Sequence, residues 1–136
     1  MKLVYPACIY EEDDGGYSVE VPDLKGCCTQ GNTLQEILEM AEDAALGWIL
    51  TSIEDDEEIP PASKIEDIKL ENEKGFKTLL LLDIDQYTQK YGSKQSVKKT
   101  LTIPSWLNKR AEKIGINFSQ TLQDALLNKI ANFKRK

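Results

Sequence analysis

Lys98, Thr100 and Thr102 alternate with Val97, Leu101 and Ile103 in the stretch VKKTLTIP, the period-two pattern of a strand with one polar and one apolar face. That polar face suits the reading of base edges. Lys can donate to guanine O6 and N7, and Thr can hydrogen-bond a base or set its methyl against thymine. The surrounding charge agrees: residues 97–136 hold nine Lys and Arg against two Asp and Glu, whereas residues 1–96 hold eight against twenty-one, in a chain of net charge −6. An acidic protein that gathers positive charge at one end predicts a local site for a polyanion, because phosphates bound there release their counterions. The plainer alternative is a solvated basic tail.

A second set of candidate residues is acidic. Asp83 and Asp85 alternate in FKTLLLLDID, so a strand there puts both carboxylates on one face, and Glu11, Glu12, Asp13, Asp14 and Asp23 lie elsewhere in the acidic part. A two-metal nuclease needs several carboxylates converging on ions ~3.5–4 Å apart. None of these has the fixed spacing of a metal site, so turn and strand-end carboxylates facing water are expected, with no catalytic residue, metal or cofactor assigned. The absence of His removes Ser-His and Cys-His nucleophile pairs and most zinc sites. Cys8, Cys27 and Cys28 are odd in number and lack a CxxC spacing; adjacent Cys27 and Cys28 point to opposite sides of a strand, which makes at least one of them a small apolar core residue. No apolar run reaches transmembrane length and the first residues turn acidic too early for a signal peptide, so a cytoplasmic protein without a membrane partner is expected.

Several elements must position these residues. Pro104 ends the basic strand. Leu107, Ala111 and Ile114 then recur at helical spacing, Gly115 stands where a left-handed stop is wanted, and Asn117 with Gln120 fits a capping box opening a second helix to about Phe133, with Leu122, Ala125, Leu126 and Ile130 on its buried stripe. This pattern over about 97–131 resembles a ribbon-helix-helix domain. About 40 residues with one unpartnered strand cannot bury a sufficient core, so the resemblance implies a homodimer with paired strands and interleaved helices. It further implies DNA contacts from Lys98, Thr100 and Thr102, and a phosphate clamp at Asn117, Phe118 and Ser119, where free N–H groups and the helix dipole favour an anion. Leu101, Ile103, Leu107, Leu122 and Leu126 would form the dimer core, with Trp106 packing in it or against a neighbouring domain.

The acidic part has its own order. KLVYPACIY is a strand with Leu3, Tyr5, Ala7 and Ile9 on one face, EEDDGG a turn, YSVEVPDL a second strand and Cys27 to Gln30 a short third. Thr33 and Glu36 then cap a helix carrying Leu34, Ile37, Leu38, Ala41, Ala44, Ala45, Trp48 and Ile49, expected to stop near Thr51 before EDDEE and Pro60-Pro61. FKTLLLLDID supplies the last strand. This order, with PDLKGCCTQGNTLQEILEMAEDAALGWI at its centre, resembles the HicB antitoxin family. The expected fold class is therefore α+β: a β-β-β-α-β partial RNase H-like domain over 1–85, a polar linker over 86–96 that is flexible or briefly helical, and the ribbon-helix-helix domain over 97–136.

The resemblance implies an antitoxin that silences a HicA-like toxin, a small basic mRNA-cleaving protein, and represses its own operon by binding operator DNA. Acidic surface competes well for a basic RNA-binding partner. The hairpin side offers Glu11, Asp13, Asp14, Tyr17, Glu20, Asp23 and Leu24 as toxin contacts; the run Glu54 to Glu58 is a more distant candidate. Higher assembly of dimers stays open. The competing readings are a stand-alone regulator whose acidic domain senses a small ligand, and a weak metal-dependent ribonuclease.

Overall fold

Residues Lys2–Glu11 form strand β1, and its neighbours on both sides make it a central strand. Tyr17–Glu20 (β2) pairs antiparallel with it, Cys8 opposite Glu20 and Glu11 opposite Tyr17, while Cys28–Gly31 (β3) extends the sheet beyond β2. Gly75–Asp83 (β4) pairs with the other side of β1, from Lys2 opposite Asp83 to Tyr10 opposite Gly75. The four-stranded antiparallel sheet thus has the order β3-β2-β1-β4. Pro6, which has no N–H, sits beyond the last β1 residue paired with β2, where one side has no ladder to lose. The computed structural model describes residues 1–93 and 96–133; Lys94 and Gln95 of the expected linker, and the basic Lys134, Arg135 and Lys136, lie outside the described residues.

One face of the sheet is covered by helix α1, Leu34–Glu54. Its start is fixed by Thr33, whose Oγ1 accepts from the Glu36 N–H at 3.1 Å. Ile37, Ala41, Ala45 and Ile49 lie one above another on the helix and pack with Tyr5, Ala7, Ile9, Val19, Val21, Leu80 and Leu82. A fully buried Ile or Leu contributes ~1.5–3 kcal/mol, so this layer is the main source of stability. The helix outruns its expected end near Thr51 by one turn. An acidic residue at the carboxyl end costs under ~1 kcal/mol, and the extra turn buries Ser52, whose hydroxyl bonds the Trp48 carbonyl at 3.2 Å.

The last strand is shorter than its apolar run suggested. The ladder stops at Asp83, whose Oδ1 accepts from the Gln86 N–H at 3.1 Å and caps helix α2, Ile84–Tyr91. Asp85 lies in the first turn of α2 and pairs with the Met1 ammonium. The expectation that Asp83 and Asp85 share a strand face is therefore corrected, because a cap and a helical turn separate them. The segment expected to be a linker begins inside this helix.

The chain divides into two compact units, Met1–Gly92 and Ser93–Lys136. In the second, α3 (Ser105–Lys113) and α4 (Phe118–Ala131) are joined by a tight turn. Gly115 adopts φ +76°, the Gly115 N–H reaches the Glu112 carbonyl at 3.1 Å and the Ile116 N–H the Ala111 carbonyl at 3.0 Å, which together satisfy the last carbonyls of α3. Residues 97–103 form neither helix nor ladder within the chain, and all are exposed. The strand expected there is absent from a single chain, since a strand is held by a neighbour's hydrogen bonds and this unit contains no second one among the described residues.

Candidate functional site

Two surfaces carry the candidate residues. On the first unit, the hairpin between β1 and β2 presents Glu11, Asp13, Asp14 and Glu20 to solvent. Asp14 Oδ1 accepts from the Gly16 N–H at 2.9 Å, Glu12 Oε1 accepts from the Ser18 hydroxyl at 2.6 Å, and Asp13 pairs with Lys74 Nζ at 2.8 Å. These bonds fix carboxylates on a turn that would otherwise be mobile. An exposed pair such as Asp13 with Lys74 contributes at most ~1 kcal/mol to the fold, so it is easily exchanged for a partner's cation. Tyr17 is half-buried against the core.

Two of the expected contacts are placed differently. Leu24 is completely buried, so it is corrected from a rim residue to a core residue. The reason is local: Leu24 N–H bonds the Val21 carbonyl, Cys27 N–H bonds the Leu24 carbonyl, and this closed loop turns the side chain inward. Asp23 receives the Ser63 N–H at 2.8 Å and the Ser63 hydroxyl at 2.6 Å, tying the β2–β3 turn to the segment after α1. The run Glu54 to Glu58 is wholly exposed at the end of α1.

The sheet face away from α1 adds residues that sequence reasoning missed. A groove of about 800 Å³ runs over it, lined by Tyr10, Glu12, Glu20, Cys28, Gln30 and Glu71. It adjoins a second of about 480 Å³ that includes Asp13, Asp14, Tyr17 and Glu36. The Tyr10 hydroxyl accepts from the Glu71 N–H at 3.1 Å, bringing a carboxylate from a distant loop to the hairpin side. Tyr10 also lies against Gly75, where a Cβ would come within 2.5 Å of its ring. Burial pushes the Tyr10 hydroxyl up. The Cys8 thiol is likewise raised by burial, with its hydrogen bond to Tyr10 opposing, and Cys27 is raised by burial and by Cys28 beside it. Among the described residues, no group of three His, Cys, Asp or Glu side chains is placed to hold a metal ion.

The second surface is basic. Lys98, Thr100 and Thr102 are exposed, as are Leu101, Ile103, Leu107 and Leu126; Leu122 is half-buried. Only Ala111 is buried among the described residues of this unit. Asn117 Oδ1 accepts from the Gln120 N–H at 3.1 Å, but Gln120 turns its own amide to Asp124 at 3.0 Å, so the capping box is half formed. The first N–H groups of α4, on Phe118 and Ser119, have no intrahelical acceptor. Trp106 is exposed, with the Arg110 guanidinium 5.8 Å from its ring centre.

The family described as HicB-like antitoxin of bacterial toxin-antitoxin systems matches residues 5–131. The chain belongs to this family. A 14.9 kDa protein from the rep-hol intergenic region of Haemophilus phage HP1 is 33% identical over 111 residues, 81% of this chain and 80% of the phage protein. Antitoxin HicB 1 of Photorhabdus laumondii is 43% identical over 56 residues, 41% of this chain and 36% of that protein. Among solved structures, a toxin-antitoxin complex from Streptococcus pneumoniae matches with a TM-score of 0.61 and 35% identity, covering 95% of this chain and 99% of that one. The mixed α+β architecture, an antiparallel sheet with four α-helices among the described residues, is similar to that of the antitoxin HicB3 crystal structure, which matches with a TM-score of 0.51 and 29% identity over 94% of this chain and 98% of that one. Among the described residues, no helix is long and apolar enough to cross a membrane.

Proposed function

We propose that this HicB-like antitoxin works through its two units separately, the acidic one silencing a HicA-like mRNA-cleaving toxin in the cytoplasm and the basic one repressing its own operon. The observation that carries the reading is the segregation of charge onto separately built units. In the first, a partial RNase H-like scaffold serves as a non-enzymatic holder of carboxylates. Glu11, Asp13, Asp14 and Glu20, with Glu12 and Glu71 added by the fold, present a field that attracts a basic protein and repels RNA.

In the second unit, two chains pair residues 97–103 as a ribbon and interleave α3 and α4, a ribbon-helix-helix dimer. The exposure of Leu101, Ile103, Leu107 and Leu126 supports this, because a second copy is the simplest cover for an apolar set that its own chain leaves bare. Lys98, Thr100 and Thr102 then face the major groove together, while the free N–H groups of Phe118 and Ser119 receive a phosphate.

The test is co-expression with a HicA-like toxin. Reversing Asp13, Asp14 and Glu20 to Lys should abolish growth rescue while gel-shift binding to the upstream DNA persists; unchanged rescue would move the toxin interface elsewhere. Lys98→Ala should weaken that DNA binding and leave rescue intact. Equal affinity for the variant would remove the ribbon from the DNA contact.

A further inference from the structure

Helix α3 keeps its single carboxylate on one flank and its cations on the other. Glu112 lies beside Asn108, whose Nδ2 donates to it at 3.2 Å, whereas Trp106, Arg110 and Lys113 recur at i, i+4 and i+7 on the far side of the Leu107 and Ala111 stripe, with Lys109 next to them. All four are exposed, and among the described residues none of the three cations is paired with a carboxylate. The Arg110 guanidinium stands 5.8 Å from the centre of the Trp106 ring, which is itself 62% exposed. An aromatic neighbour restrains a guanidinium without taking up any of its N–H donors, so Arg110 is held in place with its fork free. A free fork is what a phosphate recognises.

We infer that this flank of α3 grips the sugar-phosphate wall of the groove that the ribbon enters, with Arg110 as the phosphate ligand, Trp106 as the residue that positions it, and Lys109 and Lys113 adding charge. This rests on the ribbon reading of residues 97–103 and extends it to a surface outside the ribbon and the α4 clamp. The chain itself brings the flank there. Trp106 follows Thr102, the last base-facing residue, by four positions, a reach of at most ~14 Å even when fully extended. Arg110 and Lys113 then lie ~6 and ~10.5 Å further along the helix axis. The major groove is ~12 Å wide, so a helix that starts this close to its floor runs beside one of its walls. A second copy of the same flank is a poor cover, because a twofold contact would set three cations against three. The contact carries no sequence information: it adds affinity and register, while Lys98, Thr100 and Thr102 do the reading.

Full-length protein is titrated into two labelled duplexes, one of the upstream DNA and one of random sequence, at several salt concentrations. Arg110→Ala should weaken both by the same factor, lower the slope of log affinity against log salt by about two, one phosphate for each copy of the dimer, and leave the dimer intact in sedimentation. Trp106→Ala should weaken both by a smaller factor, and Trp106→Phe should recover most of that loss, because a ring is what holds the guanidinium. Lys98→Ala should instead change the ratio of the two affinities, which separates the ribbon from the flank. Trp48→Phe leaves Trp106 as the remaining tryptophan, and its emission should change in step with binding of either duplex and revert at high salt. The inference is overturned, with the ribbon left standing, if that emission and the salt slope of Arg110→Ala stay unchanged while Lys98→Ala alters the ratio. It is equally overturned if Arg110→Ala or Trp106→Ala dissociates the dimer, which would assign the flank to the contact between copies, or if the emission responds to an added HicA-like toxin and to neither duplex. Failure to bind either duplex removes the ribbon as well. Trp106 emission decides the matter if an Arg110 variant does not fold, and the Arg110 salt slope decides it if Trp48→Phe does not.

Discussion

Ile9 and Ile114 are the same residue in opposite circumstances. Ile9 is wholly buried between a helix and the neighbouring strands, whereas Ile114, at the end of α3, is 76% exposed. The difference belongs to the units around them. The Met1–Gly92 unit supplies a sheet and a helix that each bury the other's apolar face, and so closes its own core. Helices α3 and α4 supply a single layer, and a layer without an opposing one leaves its stripe in water. Sequence periodicity alone marks both stripes as core; the topology decides which of them is completed inside one chain.

That contrast can be broken most completely at Leu101. Leu101→Asp would set a carboxylate in an apolar interface, and sedimentation with gel shifts should show the basic units separated and DNA binding lost, while circular dichroism retains the sheet. In the first unit, Ile9→Ala should lower the unfolding free energy by about 2–5 kcal/mol through the cavity it leaves, seen in a urea titration. A subtler effect is expected at the α4 cap. Asn117→Ala removes the acceptor for the Gln120 N–H and should cost about 1 kcal/mol, with the loss of helical signal growing on dilution if the second unit folds only in pairs. The smallest effect sharpens the comparison within the sheet. Iodoacetamide should label exposed Cys28 and spare Cys8 and Cys27, whose burial both hides the sulfur and disfavours the reactive thiolate; mass spectrometry after digestion reads this directly.

Most of the first unit was legible because its signals are local. The α1 stripe, the Thr33 cap and the alternation of Tyr5, Ala7 and Ile9 each follow from spacing within a single element. The errors arose where two local patterns overlap. FKTLLLLDID reads as one long strand, yet Asp83 followed three residues later by Gln86 is also a helix-start signature, and the helix prevailed. Leu24 was misplaced because a turn such as PDLKG does not reveal which side faces inward until its hydrogen bonds close. Glu71 and Tyr10 escaped notice for a different reason, since a groove assembled by a loop crossing a sheet has no spacing in the sequence. The strand at 97–103 has yet another cause: its pattern is plain, but the partner that would complete its ladder is absent from the same chain.

The contact between Tyr10 and Gly75 makes one wall of the acidic groove depend on an atom that is missing. A methyl group at position 75 would need the space now filled by the tyrosine ring. The phenol would have to swing away, and its hydroxyl would then let go of the Glu71 amide and free the loop that carries that carboxylate. A neutral alanine on an edge strand would in this way redraw the electrostatic outline of the groove.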